Sequence, residues 1–485
     1  MSRAYAILLT LVVYNAALVA IGLWATRRTH DDSDFFLGGR QLGSWVAALS
    51  ASASSSSAWT LLGVSGAAYS WGLSALWLFP ATVSGFVINW LWVGPRLMRM
   101  SRATGALTLT EFIAGDRRDP LRATIVRVCS GAILFAFVFY IASQFQAAGN
   151  AFAASFGVST AVSISIGAGV IVLYTLLGGF WAVSVTDMLQ GLLMVAAALF
   201  LPVVALAYVG GFGELLQGLR AAAGPDGITF TRGYPGILGL AFVLGTLGIG
   251  LGYPGQPHVV NRFMALRDSA ALRQGRMIAI AWAVVIYSGM LLLGLSARVL
   301  WSELPDGEQV FFHAANAMLP PVLAGMMVAA VLSAIMSTAD SQLLVAASSL
   351  SLDLQGAGDQ PSAQRVHPGL RRVRIVVLAV SLVAVALAIA APATIFSRVL
   401  FAWHALGSAF GPVLVLRLKG YELDGRAVLA SILAGFGLTV LFYLLPDQPG
   451  DWLERLAPLA IAFAIAWSGR RRTRVAGSSG AVEGV

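Results

Sequence analysis

Leu49-Ser50-Ala51-Ser52-Ala53-Ser54-Ser55-Ser56-Ser57-Ala58-Trp59 lies inside a long apolar run over residues 43–72. Six of the eight residues from Ser50 to Ser57 are serines. Small polar side chains at that density weaken a helix, because they offer the backbone competing hydrogen bonds. Two readings stand for the stretch. Small residues let neighbouring helices approach closely, or a loosened backbone presents carbonyls and hydroxyls to something bound.

The surrounding composition narrows the setting. Of 485 residues, 58% are hydrophobic and 11% charged, and the mean hydropathy is +0.81. A soluble domain carries roughly 25% charged residues, so these charges are too few to cover a water-facing surface of this size. Most of the exterior faces membrane lipid. A formal charge of +9 in a membrane chain reports arginines on cytoplasmic loops. No basic run interleaved with aromatics is present, so nucleic acid is not an expected partner. Cys129, the one cysteine, excludes an intrachain disulfide and belongs to no metal-ligand set. The apolar run from Tyr5 to Trp24 reaches Arg27 and Arg28 without a small-residue cleavage site. It reads as a first transmembrane helix, not a removed signal.

A bilayer core of about 30 Å needs about 20 helical residues. That ruler gives thirteen spans, near residues 5–26, 43–72, 74–95, 124–150, 156–177, 185–209, 235–261, 276–299, 319–350, 375–392, 396–416, 425–445 and 453–469. With the N-terminus outside and the C-terminus inside, cytoplasmic segments hold all but six of the 31 Lys and Arg residues. The six are Arg3, Arg220, Arg232, Arg298, Arg398 and Arg455. A lost or added span would scramble this asymmetry. The expected architecture is an all-α polytopic membrane protein with one domain over residues 1–474. A Gly/Ser-rich, disordered cytoplasmic tail would follow over 475–485.

A helix interrupted at membrane depth must line a buried cavity or bind something. Besides the serine stretch, two places read as broken or weak. Gly245-Thr246-Leu247-Gly248-Ile249-Gly250-Leu251-Gly252-Tyr253-Pro254-Gly255-Gln256-Pro257-His258 combines glycines with prolines that remove backbone donors. A kinked packing helix is the other reading. In Ala334-Ile335-Met336-Ser337-Thr338-Ala339-Asp340-Ser341-Gln342, the hydroxyls of Ser337, Thr338 and Ser341 fall on neighbouring rungs. A carboxylate within a span is functional by default, which singles out Asp340, the other reading being a buried hydrogen-bonded aspartate. Asp187 opens the sixth span, where the helix dipole alone would favour a carboxylate. Hard cations take oxygen ligands, and carbonyls with hydroxyls supply them. Broken helices holding a cation and a solute at mid-membrane mark inverted-repeat secondary transporters. No nucleotide-binding motif or hydrolase signature accompanies them, and His30, His258, His313, His367 and His404 share no ligand spacing. The chain does not read as an enzyme.

These motifs resemble the sodium/solute symporter family, and within it the bacterial sodium/proline symporter branch. The resemblance rests on Asp34-Phe35-Phe36-Leu37-Gly38-Gly39-Arg40, Leu49-Ser50-Ala51 with Trp59, and Gly178-Gly179-Phe180 through Asp187. It continues in Gly252-Tyr253 with Gly255-Gln256-Pro257-His258, and in Met336-Ser337-Thr338 with Gln342-Leu343-Leu344-Val345. It implies a five-plus-five inverted-repeat core of the LeuT type, with repeats at about 43–209 and 235–416. It further implies a sodium site from the carbonyls of Ala53, Ser56 and Ala334 with the hydroxyls of Ser337 and Thr338. A solute site would involve Ser57, Tyr140, Tyr253 and Pro257, and a second cation or proton site Asp187, Asp340 and Ser341. The expected function is sodium-coupled uptake of a small organic solute, such as the amino acid proline, by a monomer in the bacterial cytoplasmic (inner) membrane. Two residues depart from the proline branch: Ser55 stands for an aspartate and Ile249 for a tryptophan. Asp340, a serine in that branch, is placed to restore the missing negative charge.

A proton-coupled symporter is the rival, because two intramembrane carboxylates could titrate; a transporter-like solute sensor is a further alternative. Uptake in sodium-free buffer across a pH series separates the ions. The expected result is collapse of uptake at every pH without sodium, and weakened cation dependence in Asp340→Asn. Unchanged transport by that variant would count against the reading.

Overall fold

The computed structural model describes residues 3–26, 38–177, 180–223, 228–350 and 370–472. Residues 34–37, Gly178, Gly179, Arg27, Arg28, His30, Arg365, His367, Arg474 and the tail 475–485 lie outside the described residues.

The apolar runs fold as helices, which satisfy every backbone group within one segment and so can stand in lipid. They are α1 Arg3–Thr26, α2 Ser44–Ser55, α3 Val64–Trp71, α4 Leu78–Ile88, α5 Gly94–Thr104, α6 Leu109–Ala114 and α7 Arg122–Phe156. Next come α8 Thr160–Leu177, α9 Phe180–Val209, α10 Phe212–Ala223, α11 Gly236–Gly248, α12 Pro257–Ala265, α13 Ser269–Leu300 and α14 Val310–Met318. The last are α15 Pro321–Ser348, α16 Leu370–Ala390, α17 Ile395–Leu418, α18 Gly425–Tyr443 and α19 Trp452–Ser468. A two-stranded antiparallel ribbon, β1 Tyr421–Leu423 with β2 Arg470–Arg472, departs from the all-helical expectation.

Among the described residues, ten helical stretches are long and apolar enough to cross a membrane. One of them, Trp59–Thr104, turns at Gly72, whose φ of 58° suits a residue without a Cβ. Burial sorts the ten. In α17 and α15, 94% and 83% of the apolar window is buried inside the protein, against 22% in α1 and 33% in α9, α16 and α18. The first two are therefore central, and the others present apolar side chains to lipid.

Hydrogen bonds tie the basic connections together at one end of the bundle. Arg40 reaches the Ala106 carbonyl, Arg102 the Leu266 and Arg267 carbonyls, and Arg417 the Ile113 carbonyl. At the far end of α13, Tyr69 donates to the Trp301 carbonyl, while Ser74 donates to Thr229.

The seventh span packs its broken middle on α17 through glycine. A Cβ added at Gly407 would stand 2.7 Å from the Gly252 Cα, closer than real contacts allow. Overpacking of this kind costs about 1–3 kcal/mol. Gly407→Val is expected to lower the thermal midpoint in detergent. Gly437→Ala, at an exposed helical position with open space around its Cβ, should hold or raise it.

Candidate cation and solute site

The serine-rich stretch folds as a helix that stops. Ser56 leaves helical geometry at φ −117° and ψ 78°, with its N–H on the Ala53 carbonyl at 3.1 Å. The chain resumes as a π turn at Trp59–Gly63. The seventh span breaks likewise. α11 gives way to a tight 3-10 turn over Ile249–Gly255, Gln256 is extended, and Pro257 opens α12.

The third expected break is absent. α15 runs unbroken from Pro321 to Ser348, because no glycine or proline interrupts it after Gly325. Its hydroxyls instead turn outward onto the broken α2. Ser337 Oγ donates to the Ala53 carbonyl and to its own helix at Ala334, both at 3.3 Å, and Thr338 Oγ1 donates to the Ser54 carbonyl at 3.2 Å. Ala53, Ala334, Ser337 and Thr338 thus meet at one point, with Ser56 at the adjoining turn and all five buried. Only neutral oxygens converge here, the donor set that suits a hard monovalent cation. The Ser54 carbonyl joins them, a contributor that the motif did not nominate.

A charged cluster lies one turn away along α2. Asp187 is fully buried well inside α9, which begins at Phe180, so the helix dipole does not account for it. Its Oδ2 accepts from Ser50 Oγ at 2.8 Å, Ser54 Oγ at 3.1 Å and Arg262 Nη2 at 2.9 Å. Ser341 Oγ lies 3.0 Å from Ser54 Oγ and 3.4 Å from Asp340 Oδ1. Asp340 Oδ2 finds no hydrogen-bond partner among the described residues. Arg262, grouped by sequence with the loop arginines, is 2% exposed. Its position in α12, directly after the break, carries it inward. Removing one partner of such a buried pair typically costs 3–5 kcal/mol.

Between the two breaks runs a set of hydroxyls and rings. Tyr140 donates to Ser57 Oγ at 3.2 Å. Tyr287 stands 3.4 Å from Thr60 Oγ1 and 3.2 Å from the Tyr253 hydroxyl, bridging the second and seventh spans. Gln144 accepts from the Ala58 N–H at 3.1 Å, while Gln146 bonds the Ala393 carbonyl and serves helix packing. Trp403 donates to the Ile249 carbonyl and packs edge-on against Tyr253, with ring centroids 4.7 Å apart. Of the histidines, His258 and His404 are buried, and His258 packs against Phe137 and Tyr140.

A cavity of about 540 Å³ opens beyond these groups, lined in part by Gly63, Trp71, Glu308, Phe396 and Arg455. Glu308 closes one wall, accepting the first-turn N–H groups of α17 from Ile395 at 2.9 Å and Phe396 at 2.7 Å.

The sequence profile of the "Sodium:solute symporter family" matches residues 35–435. The chain belongs to the sodium:solute symporter family. The symporter is 36% identical over 434 residues to the "High-affinity proline transporter PutP" of Bacillus subtilis, covering 88% of this chain and 89% of that one. It is 34% identical over 450 residues to the "Sodium/proline symporter" of Escherichia coli, covering 90% and 87%. Its fold matches a solved Na+-coupled sialic acid symporter at a TM-score of 0.78, with 16% identity over 97% of this chain and 99% of the other. The symporter is thus a sodium-coupled secondary transporter of a small solute, integral to the inner membrane, and its family and relatives are transporters, not enzymes.

Arg262, Ser50, Ser54, Tyr287, Trp403 and Glu308 were not nominated from the motifs of this symporter. For Arg262 the signal was available: an arginine five residues beyond Pro257 lies within a helix turn or two of the break.

Burial pushes the Glu308 carboxyl up to about 7, against the lowering pull of the two N–H groups. Raised folded-state affinity for a proton means that folding stability is greatest in acid and falls as pH rises from about 4.5 to 7, where ionisation places a charge on a buried group. The loss is on the order of 3 kcal/mol. Thermal midpoints of the symporter should fall through that window and level off above it, while Glu308→Gln should lack the slope.

Proposed function

We propose that this chain is a sodium/amino-acid symporter, with proline as the leading solute, that works by alternating access around its broken second and seventh spans. The observation that carries this reading is the meeting of the Ser337 and Thr338 hydroxyls with the Ala53 and Ser54 carbonyls at the α2 break. In the proposed assignment, the carbonyls of Ala53, Ser56 and Ala334 with the hydroxyls of Ser337 and Thr338 hold sodium. Ser57, Tyr140, Tyr253 and Pro257 hold the solute. Asp187, Asp340 and Ser341 form the second cation or proton position.

Coupling follows from adjacency. Ser56 and Ser57 occupy the same interruption, so a sodium ion that orders α2 against α15 also shapes the solute groups one residue further on. The ion promotes transport only by binding that conformation more tightly than the alternatives. The Trp403 indole beside Tyr253 supplies an aromatic wall next to Ile249, which has none of its own. That supports a compact ring-bearing solute such as proline.

The same reading includes thirteen spans and a single membrane domain over 1–474, with inverted repeats at about 43–209 and 235–416. Interrupted helices at the start of each repeat support it. The N-terminus would lie outside and the C-terminus inside, a placement supported by the basic connections gathered at one end. The protein would act as a monomer. Proton coupling stays a second reading because Asp340 carries an unpaired buried carboxylate oxygen.

Uptake of proline, other amino acids and small carboxylates into proteoliposomes, with and without a sodium gradient, tests the assignment. A hydrogen bond to a charged group is worth about 1.5–3 kcal/mol. Losing such a ligand in Ser337→Ala or Thr338→Ala should therefore raise the half-saturating sodium concentration about 10- to 100-fold. Equal uptake without sodium would sink the reading.

A further inference from the structure

The last two helices, α18 and α19, stand outside the expected repeats, but the head of α19 is seated on α11, the half of the seventh span that precedes the break. Three glycines make the seat. A Cβ added at Gly245 would stand 2.2 Å from the Gly450 carbonyl oxygen, and one at Gly450 2.3 Å from the Phe242 carbonyl oxygen. One at Gly248 would stand 2.8 Å from Leu456 Cδ2. Beside Gly450, Asp451 holds φ 49°, a left-handed conformation that is uncommon for a residue with a side chain. Arg455, only 3% exposed, ties the turn down: its Nη2 donates to Asp451 Oδ2 at 2.5 Å, and its Nη1 donates to the Gly245 carbonyl at 3.5 Å. Its Nε finds no partner among the described residues, so the guanidinium is committed to this one junction. One turn further along α19 comes Pro458.

We propose that α11 and the head of α19, residues 452–457, are one rigid body that moves as a unit in the transport cycle, with Arg455 as its positioning residue. The proposal rests on the alternating-access symport reading above and adds to it a residue from outside the repeats. Pro458 supplies the hinge. It lacks the N–H that would bond the Glu454 carbonyl, and its ring crowds that carbonyl, so the head can turn against the rest of α19. Arg455 belongs to neither the sodium cage nor the solute groups. It acts through α11, whose end runs directly into the turn that carries Ile249 and Tyr253. Loosening the seat therefore misplaces Tyr253, while α2 and α15, which hold the proposed sodium ligands, stay where they are.

The test uses full-length protein in proteoliposomes, with proline as the solute and folding checked by thermal midpoint. Gly248→Cys/Leu456→Cys in a Cys129→Ala background places a disulfide across the seat, where a Cβ at 248 lies 3.5 Å from Leu456 Cγ. Oxidised protein, its bond verified by mass, should keep most of the sodium-driven uptake of the reduced form. Uptake lost on oxidation and restored by reductant overturns the proposal, because the two elements would then have to part. In Arg455→Gln the half-saturating proline concentration should rise on the order of tenfold. The maximal rate, and the half-saturating sodium concentration at saturating proline, should stay within about twofold. Arg455→Lys keeps a charge on Asp451 and should recover most of the proline affinity. Unchanged proline affinity in Arg455→Gln, an equal loss in all three parameters, or no rescue by lysine overturns the proposal. If Arg455→Gln fails to fold, Asp451→Asn/Arg455→Gln removes both charges and is read the same way; if the reduced cysteine pair is inactive, the arginine series decides. Uptake by wild type that ignores sodium would instead overturn the symport reading itself.

Discussion

Deep in the bundle, the carbonyls of Ala53 and Ser54, where the helical ladder of α2 runs out, accept hydroxyls of α15. Everything else in the structure accommodates that placement. A backbone acceptor without a partner at this depth costs several kcal/mol, so the break in α2 requires a neighbouring helix with donors at matching height. α15 can supply them because it is itself unbroken: a regular helix sets Ser337 and Thr338 at fixed, adjacent positions. One irregular element facing one regular element gives an oxygen cluster with one rigid wall, which the proposed ion site would use.

The same division of labour recurs at the seventh span. There the 3-10 turn over Ile249–Gly255 leans on α17, which is the most enclosed of the long helices. Gln256 donates to the Gly252 and Trp403 carbonyls, so the extended residue between the half-helices is anchored on both sides. The tyrosine pair Tyr253 and Tyr287 then joins this break to Thr60, just past the other one. Two interruptions that are far apart in sequence share one buried polar seam.

Much of this was legible in the residues. Glycine and proline density locates the seventh-span break, since each proline removes a backbone donor, and the serine run locates the second. The ninth span misled because hydroxyls alone resemble the same pattern. Without a glycine or proline after Gly325, serine and threonine decorate a helix and do not interrupt it. Arg262 misled for a different reason. Charge counting assigns an arginine to water unless a partner is known, and Asp187 lies 75 positions earlier in the chain. Glu308 was invisible for the same cause, its partners being the backbone of a helix that begins far downstream. Sequence reports the presence of a charge, and only the fold reports its companion.

The meeting of Gly252 with Gly407 has a mechanical consequence. Where two backbones touch with no side chains between them, there is nothing to interlock, and a small rotation meets little resistance from knobs or ridges. In the proposed cycle that contact would act as a fulcrum. With Gly255 seated on the same patch of α17, the half-helices on either side would serve as opposite arms of a lever in the alternating-access cycle proposed above.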